Sequence, residues 1–212
     1  DPDQLQPIEA GTPFREIVKS HGATRLTEIH RQKADWQKQA SRALADGDMF
    51  TALNSYQKRG AVSLSDTRDA AIEALVETYA MDVAARGSAR SRLAFAHKRK
   101  DVHALNQAIR SALRSDPNAP PETLFTTDTG KRAFATDDRI VFTRIDKDIG
   151  VKNGMLGTVG KAEDGRIAVA PDGAKDRLVR FDPRDFRSFD HGYAVTIHKS
   201  QGATVDQSYV LA

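Results

Sequence analysis

The chain has 212 residues, 32 Lys and Arg against 29 Asp and Glu, a formal charge of +3, and 39% hydrophobic and 29% charged residues. This is long enough for one large domain or two small ones, with the composition of a soluble protein whose mild positive charge permits a nucleic-acid partner without requiring one. No apolar run reaches 18 residues, so no membrane span is expected, and the absence of cysteine excludes disulfide staples, thiolate zinc sites and Cys nucleophiles and fits a reducing, cytoplasmic setting.

The opening DPDQLQP has no initiator Met, basic start or apolar stretch, and reads as a cut from something longer. Residues 1–25 are punctuated by Pro2, Pro7, Gly11 and Pro13, with a short helix predicted over 14–20. Residues 24–29 (TRLTEI) have strand character. Two helices follow over 35–46 and 48–58, broken at Gly47 and ended near Gly60, with Trp36, Ala40, Ala43 and Leu44 on one face of the first and Phe50, Leu53 and Tyr56 on the second. Ser65 or Asp66 is placed to cap a further helix in which Ile72, Leu75, Val76, Tyr79 and Val83 recur at helical spacing, and Gly87 is placed to stop it. Leu93-Ala94-Phe95-Ala96 then predicts a buried strand. Asp101 predicts a helix start, with Val102, Leu105, Ile109 and Leu113 facing inward. A strand feeding a helix suggests a parallel α/β layer.

Ala119-Pro120-Pro121 marks a boundary, since two prolines cannot continue a helix. Beyond it the β-prone segments 139–145, 155–162, 166–170 and 177–182 are short. Asn153-Gly154, Asp164-Gly165 and Asp172-Gly173 separate them as hairpin signals. This spacing predicts a small SH3-like β-barrel, with Phe142, Phe181 and Phe186 filling its core. Residues 193–197 (YAVTI) are apolar again and are expected to rejoin the α/β layer, which makes the barrel an insertion.

Chemistry is concentrated in few places. Between Arg86 and Arg114 stand eight basic residues and one acid, Asp101; the stretch reads either as a phosphate-contacting ridge or as a solvated helix face. Gly130-Lys131 is a Gly-Lys pair, but it lacks the upstream Gly and is followed by Arg132, so it is not a phosphate loop. No GxGxxG occurs, and the six histidines show no metal-binding spacing. His97 and His103 read as surface residues.

Three segments in fixed order carry a stronger signal. The first is Asp1-Pro2-Asp3-Gln4-Leu5-Gln6-Pro7, with Gly11 and Phe14-Arg15 after it. The second is Leu26-Thr27-Glu28-Ile29-His30-Arg31-Gln32. The third is Tyr193-Ala194-Val195-Thr196-Ile197-His198-Lys199-Ser200-Gln201-Gly202-Ala203-Thr204. Together they resemble motifs III, IV and V of superfamily 1 DNA helicases, most closely the RecD-like branch that includes the helicase portion of TraA-type conjugative relaxases. Residues 93–109 are similar to that branch's strand and helix in the second RecA-like domain, and its members carry an SH3-like fold just before motif V. The resemblance covers essentially the whole chain.

The resemblance implies an α/β, partial RecA-like P-loop NTPase fold with an inserted barrel. Residues 1–25 would end the first RecA-like domain, 26–120 begin the second, 121–190 form the barrel, and 191–212 resume the second. It implies a nucleotide-sensing amide at Gln4 and an arginine finger at Arg31, whose planar guanidinium suits a phosphoryl group in transfer. The alternatives are a loop amide and a surface salt bridge. Thr196, His198, Lys199, Ser200 and Gln201, after an apolar strand, would grip a single-stranded DNA backbone without reading sequence, and Gly202 would allow close approach near the nucleotide. Lys98, Arg99 and Lys100 would add phosphate contacts. Many relatives carry Glu where Thr204 stands, so any contact assigned to that carboxylate does not transfer.

ATP and Mg²⁺ are expected in a full-length protein and not on this segment alone, because motifs I and II would precede Asp1 and motif VI would follow Ala212. The expected partners are single-stranded DNA and the rest of the same polypeptide, namely the first RecA-like domain and a relaxase domain. Translocation is expected 5′ to 3′. The alternative is a non-catalytic DNA-binding module descended from a helicase.

Overall fold

The computed structural model describes residues 13–24, 28–30, 32–87, 90–115, 119–163, 165–174, 177–200 and 204–212. The chain divides into two compact units, 1–63 and 64–212.

The first unit is helical. Helix α1 spans Pro13–His21, α2 Asp35–Ala45 and α3 Met49–Gln57, as the sequence leads one to expect. Gly47 takes φ +83° in the turn between α2 and α3, a conformation that favours glycine. Asp48 caps α3 by accepting from the Thr51 N–H at 3.0 Å. That bond holds the Asp48 carboxyl below the usual carboxylate range. The two helices meet through the small residues Ala40 and Ala52, both buried. The Trp36 and Tyr56 rings meet edge to face at 5.1 Å, with the Arg59 guanidinium 4.3 Å above Trp36. Leu44, Phe50 and Leu53 are exposed, because contact through two alanines turns the larger side chains outward. Of the strand suggested at 24–29, residues 25–27 lie outside the described part, and 28–30 are irregular.

The second unit begins with α4, Arg68–Arg86. Its cap is Thr67, which accepts from the Ala70 N–H at 3.2 Å, not Ser65 or Asp66; Gly87 at φ +64° ends it as expected. Strand β1 (Arg92–Ala96) and helix α5 (Arg99–Leu113) follow, the helix starting two residues earlier than Asp101 suggests. Next come β2 (Thr123–Thr127), β3 (Gly130–Phe134), β4 (Arg139–Phe142), β5 (Leu156–Glu163), β6 (Arg166–Pro171), β7 (Val179–Phe181) and β8 (Phe189–His191). The chain closes with β9 (Ala194–Thr196), a 3-10 turn at Ile197–Ser200, and β10 (Gln207–Leu211).

Strands β10, β1 and β9 form a parallel sheet in that order, with Ala94 opposite both Tyr209 and Ala194. Alternation along β1 sends Ala94 and Ala96 into a core with Leu105 and Ile109 of α5 and Tyr79 of α4. Leu93 and Phe95 face the other way, onto Val141 and Leu156 of the β-rich segment and onto Val195. A strand buried on both faces needs a continuous apolar run, which LAFA supplies. The β-rich segment thus interrupts the parallel sheet between α5 and β9 and packs on one of its faces.

Of the expected SH3-like barrel, no closed form is found among the described residues. Strands β7-β6-β5-β4-β8 make an open antiparallel sheet, and β2-β3 make a separate hairpin. The hairpin covers the sheet through side chains and isolated bonds, such as Asp128 N–H to the Arg187 carbonyl (2.9 Å), with no ladder to join the sheet edges. A register shift between Val159 and Lys161 bends β5. Phe142, Phe181 and Phe186 fill the core as expected, joined by Phe125, Phe134 and Phe189. The hairpin, β8 and β10 were not anticipated from the sequence; burial alternates along β2 and β10, but their apolar residues are adjacent in the chain and do not.

A buried polar knot ties this segment to the α/β layer. The Asp138 carboxylate, 2% exposed, accepts from Arg110 Nε and Nη2 (3.0 and 2.9 Å), the Ala135 N–H (2.8 Å) and the Tyr193 hydroxyl (2.7 Å). Burial, and then the Asp138 charge and hydrogen bond, push the Tyr193 phenol well above its ordinary value. Gly192 lets the chain pass β4 on its way to β9, since a Cβ there would lie 2.5 Å from the Ile140 carbonyl carbon.

Candidate nucleic-acid interface

In a parallel sheet, loops leave the C-terminal strand ends together, and that edge is where α/β proteins present ligand-binding groups. Here Ala96 and Thr196 are in register as the last residues of β1 and β9. His97 and Lys98 follow the first, and the turn Ile197–Ser200 follows the second. The His97 and His198 rings consequently lie 6.4 Å apart, although their positions are far apart in the chain. His97, Lys98, Arg99, Lys100 and His198 are exposed, and Thr196 is half-buried.

Lys98 is the N-cap of α5 and supplies no side-chain cap. The first amides of a helix lack intrahelical partners, and the helix dipole adds positive potential there. Asp101 in the same turn would oppose an anion, but Arg68 engages it with two bonds of 2.8 and 2.6 Å, which keep its carboxyl below the ordinary range. The helix start therefore presents three cationic side chains beside amides suited to phosphate.

The structure narrows the basic ridge considerably. Arg92 is buried against Asp82 at 2.5 Å and also bonds the carbonyls of Gly87 and Arg90. That pairing holds the Asp82 carboxyl down, and Arg86 approaches the same carboxylate at 3.3 Å. Arg110 and Arg114 both pair with Glu122 at 2.8 Å, and Arg110 also holds Asp138. Half of the eight basic residues are thus engaged in ion pairs. Lys98, Arg99 and Lys100 make no side-chain ion pair or hydrogen bond among the described residues.

Of the other sequence-derived site residues, Lys199 and Ser200 belong to the turn after β9. Gln4, Arg31, Gln201 and Gly202 lie outside the described residues. Lys131 sits in the β2-β3 hairpin, consistent with rejecting Gly130-Lys131 as a phosphate loop. No group of three or more His, Cys, Asp or Glu suited to a metal occurs among the described residues. His97, read from the sequence as a surface residue, is exposed, and its place immediately after the apolar strand LAFA puts it at this edge beside His198.

Residues 1–67 match the AAA domain family. Across its full length the chain is 41% identical to a conjugal transfer protein TraA of Agrobacterium fabrum and 40% identical to one of Rhizobium radiobacter, and it spans 19% of the length of each. It is 27% identical, over 96% of its length, to the ATP-dependent RecD2 DNA helicase of Deinococcus radiodurans, of which it covers 26%. The Pif1 helicase from Bacteroides, in complex with ADP-AlF3 and single-stranded DNA, shares the fold at a TM-score of 0.52 and 17% identity, over 86% of this chain and 44% of that one.

Proposed function

We propose that this chain, similar over its whole length to TraA conjugal transfer proteins and over 96% of it to a RecD2 DNA helicase, forms the DNA-gripping part, and one wall of the ATP cleft, of an ATP-dependent DNA helicase in a conjugative relaxase. The observation that carries this reading is the meeting of Lys98, Arg99, Lys100, His97 and His198 at the C-terminal edge of one parallel sheet. Ammonium, guanidinium and imidazole groups around a helix start match successive phosphates and carry no base-edge code, as a motor moving along any sequence requires.

In the same reading, Thr196, Lys199, Ser200 and Gln201 extend the grip, Gln4 relays nucleotide state, Gly202 admits the backbone near the nucleotide, and Arg31 stabilises the transferring γ-phosphoryl group. ATP with Mg²⁺ is held mainly by a phosphate loop elsewhere in the full-length protein, so the 212-residue chain alone does not turn ATP over. Translocation runs 5′ to 3′ in the cytoplasm, with a relaxase domain on the same polypeptide. No helix among the described residues is long and apolar enough to cross a membrane.

The test is fluorescence anisotropy of labelled oligo(dT) and mixed-sequence oligonucleotides across a salt series. Binding of micromolar strength or weaker is expected, equal for both sequences and declining steeply with salt. Reversing Lys98, Arg99 and Lys100 to Glu is expected to lower the log–log salt slope by roughly 2, at about 0.7 per phosphate contact on single strands. An unchanged isotherm in the reversed variant, or salt-insensitive binding by the parent chain, would refute the reading.

A further inference from the structure

Strand β9 lies at the open edge of the parallel sheet, with β1 on one side and no strand on the other among the described residues. An edge strand leaves backbone groups without ladder partners, and a buried one must satisfy them in some other way. Here the partner is a side chain. Asn106 of α5, 7% exposed, accepts through Oδ1 from the N–H groups of Tyr193 (2.9 Å) and Ala194 (3.0 Å). Its Nδ2 donates to the Ala194 carbonyl (2.9 Å) and to the Val102 carbonyl one turn back on its own helix (2.9 Å). Two acceptor and two donor positions are all that a carboxamide offers, and all four are used.

We propose that Asn106 is the positioning residue of the nucleic-acid interface: its amide takes the place of a neighbouring strand along β9 and so fixes the Ile197–Ser200 turn against the helix start that carries Lys98, Arg99 and Lys100. Both halves of the interface are then referred to one rigid element. The cationic cluster opens α5, and Asn106, two turns further along the same helix, grips the strand that delivers His198. One turn beyond, Arg110 holds Asp138, whose second oxygen accepts from the Tyr193 hydroxyl, so Tyr193 is fixed at its main chain by Asn106 and at its phenol by Asp138. The interface role rests on the helicase reading given above, whereas the grip on β9 stands on these distances alone.

The experiment compares amide hydrogen exchange and oligo(dT) affinity in the 212-residue chain and its Asn106→Leu and Asn106→Asp variants. Leu removes all four bonds. Asp keeps the volume and both acceptor contacts but sets an oxygen against the Ala194 carbonyl. In Asn106→Leu, exchange over residues 194–196 is expected to quicken about tenfold or more, while β10, in the same sheet, stays within about twofold. Affinity for oligo(dT) is expected to drop about tenfold. If Asn106→Leu has no cooperative melt, Asn106→Asp decides, with the same local pattern and an affinity loss of about threefold. Exchange that is unchanged in the folded variant, or quickened equally in β9 and β10, overturns the grip. Local quickening with unaltered DNA affinity overturns the positioning role. A parent chain that does not bind oligo(dT) refutes the helicase reading instead, and the exchange result still decides whether Asn106 holds β9.

Discussion

Removing the Asp138 carboxylate is the sharpest available perturbation of the junction between the β-rich insertion and the α/β layer. Asp138→Ala leaves the Arg110 guanidinium, whose side chain is 13% exposed, with Glu122 as its remaining carboxylate partner at 2.8 Å. It also leaves the Ala135 N–H and the Tyr193 hydroxyl without their acceptor. Breaking a buried ion pair by deleting one partner costs about 3–5 kcal/mol. The surviving Glu122 contact places the ionic part at about 3 kcal/mol, near the low end of that range. The two orphaned donors would each cost about 1–3 kcal/mol, and water entering the space left by the side chain recovers most of this, so the expected total is about 4 kcal/mol. For a chain of this size each kcal/mol moves the melting temperature by about 2–4 °C, which gives a fall of roughly 8–16 °C. Asp138→Asn keeps the shape and an acceptor but loses the charge, and is expected to cost about half as much. Differential scanning calorimetry on both variants, with Tyr193→Phe and the Asp138→Ala/Tyr193→Phe double variant to close a cycle, measures these quantities. The two single losses share one hydrogen bond, so they are expected to be non-additive by about 1 kcal/mol or more. A melting temperature within about 2 °C of the parent for Asp138→Ala, or strict additivity in the cycle, would show that the knot does not hold the insertion.

Two further outcomes are expected. In the full-length protein, Arg31→Ala should lower DNA-stimulated ATP turnover roughly 10³–10⁵-fold, equivalent to about 4–7 kcal/mol of barrier, with nucleotide affinity within about tenfold of the parent. Arg31→Lys should rescue little, because an ammonium lacks the planar fork. Retention of more than about a tenth of turnover in Arg31→Ala removes the finger assignment. Burial holds the His191 imidazole, whose Nε2 lies 2.9 Å from the Ala133 carbonyl, below its ordinary value, so the neutral ring is the folded form. A depressed pKa gives stability that is present above the unfolded value of about 6.5 and is lost as pH falls below it toward the folded value. The melting temperature should therefore decline from neutral pH into the acid range, and His191→Gln should flatten that decline. Equal slopes in the two proteins would exclude His191 as its source.

The local grammar of the chain was legible in its residues. Helical spacing of Ile72, Leu75, Val76, Tyr79 and Val83, ended by a glycine with positive φ, defines α4. The apolar run LAFA reads as a doubly buried strand because short-range pattern and burial coincide there. The ordered segments around Gln4, Arg31 and Thr196 carried the family resemblance, since a motif keeps its residues together in sequence. Tertiary structure alone decided how charge is used. Counting basic residues between Arg86 and Arg114 suggests a ridge, yet Asp82, Glu122 and Asp138 draw four of the eight basic residues into ion pairs, and all three acids lie outside the stretch. The same holds for Asn106, a polar residue on an otherwise apolar helix face, whose partners are 87 and 88 residues away. A side chain's chemistry is local, but what satisfies it after burial is set by which strands the fold brings beside it. The apolar pattern of the insertion likewise fixed which residues face its core, whereas closure into a barrel depended on backbone bonds between edge strands, which side-chain alternation does not specify.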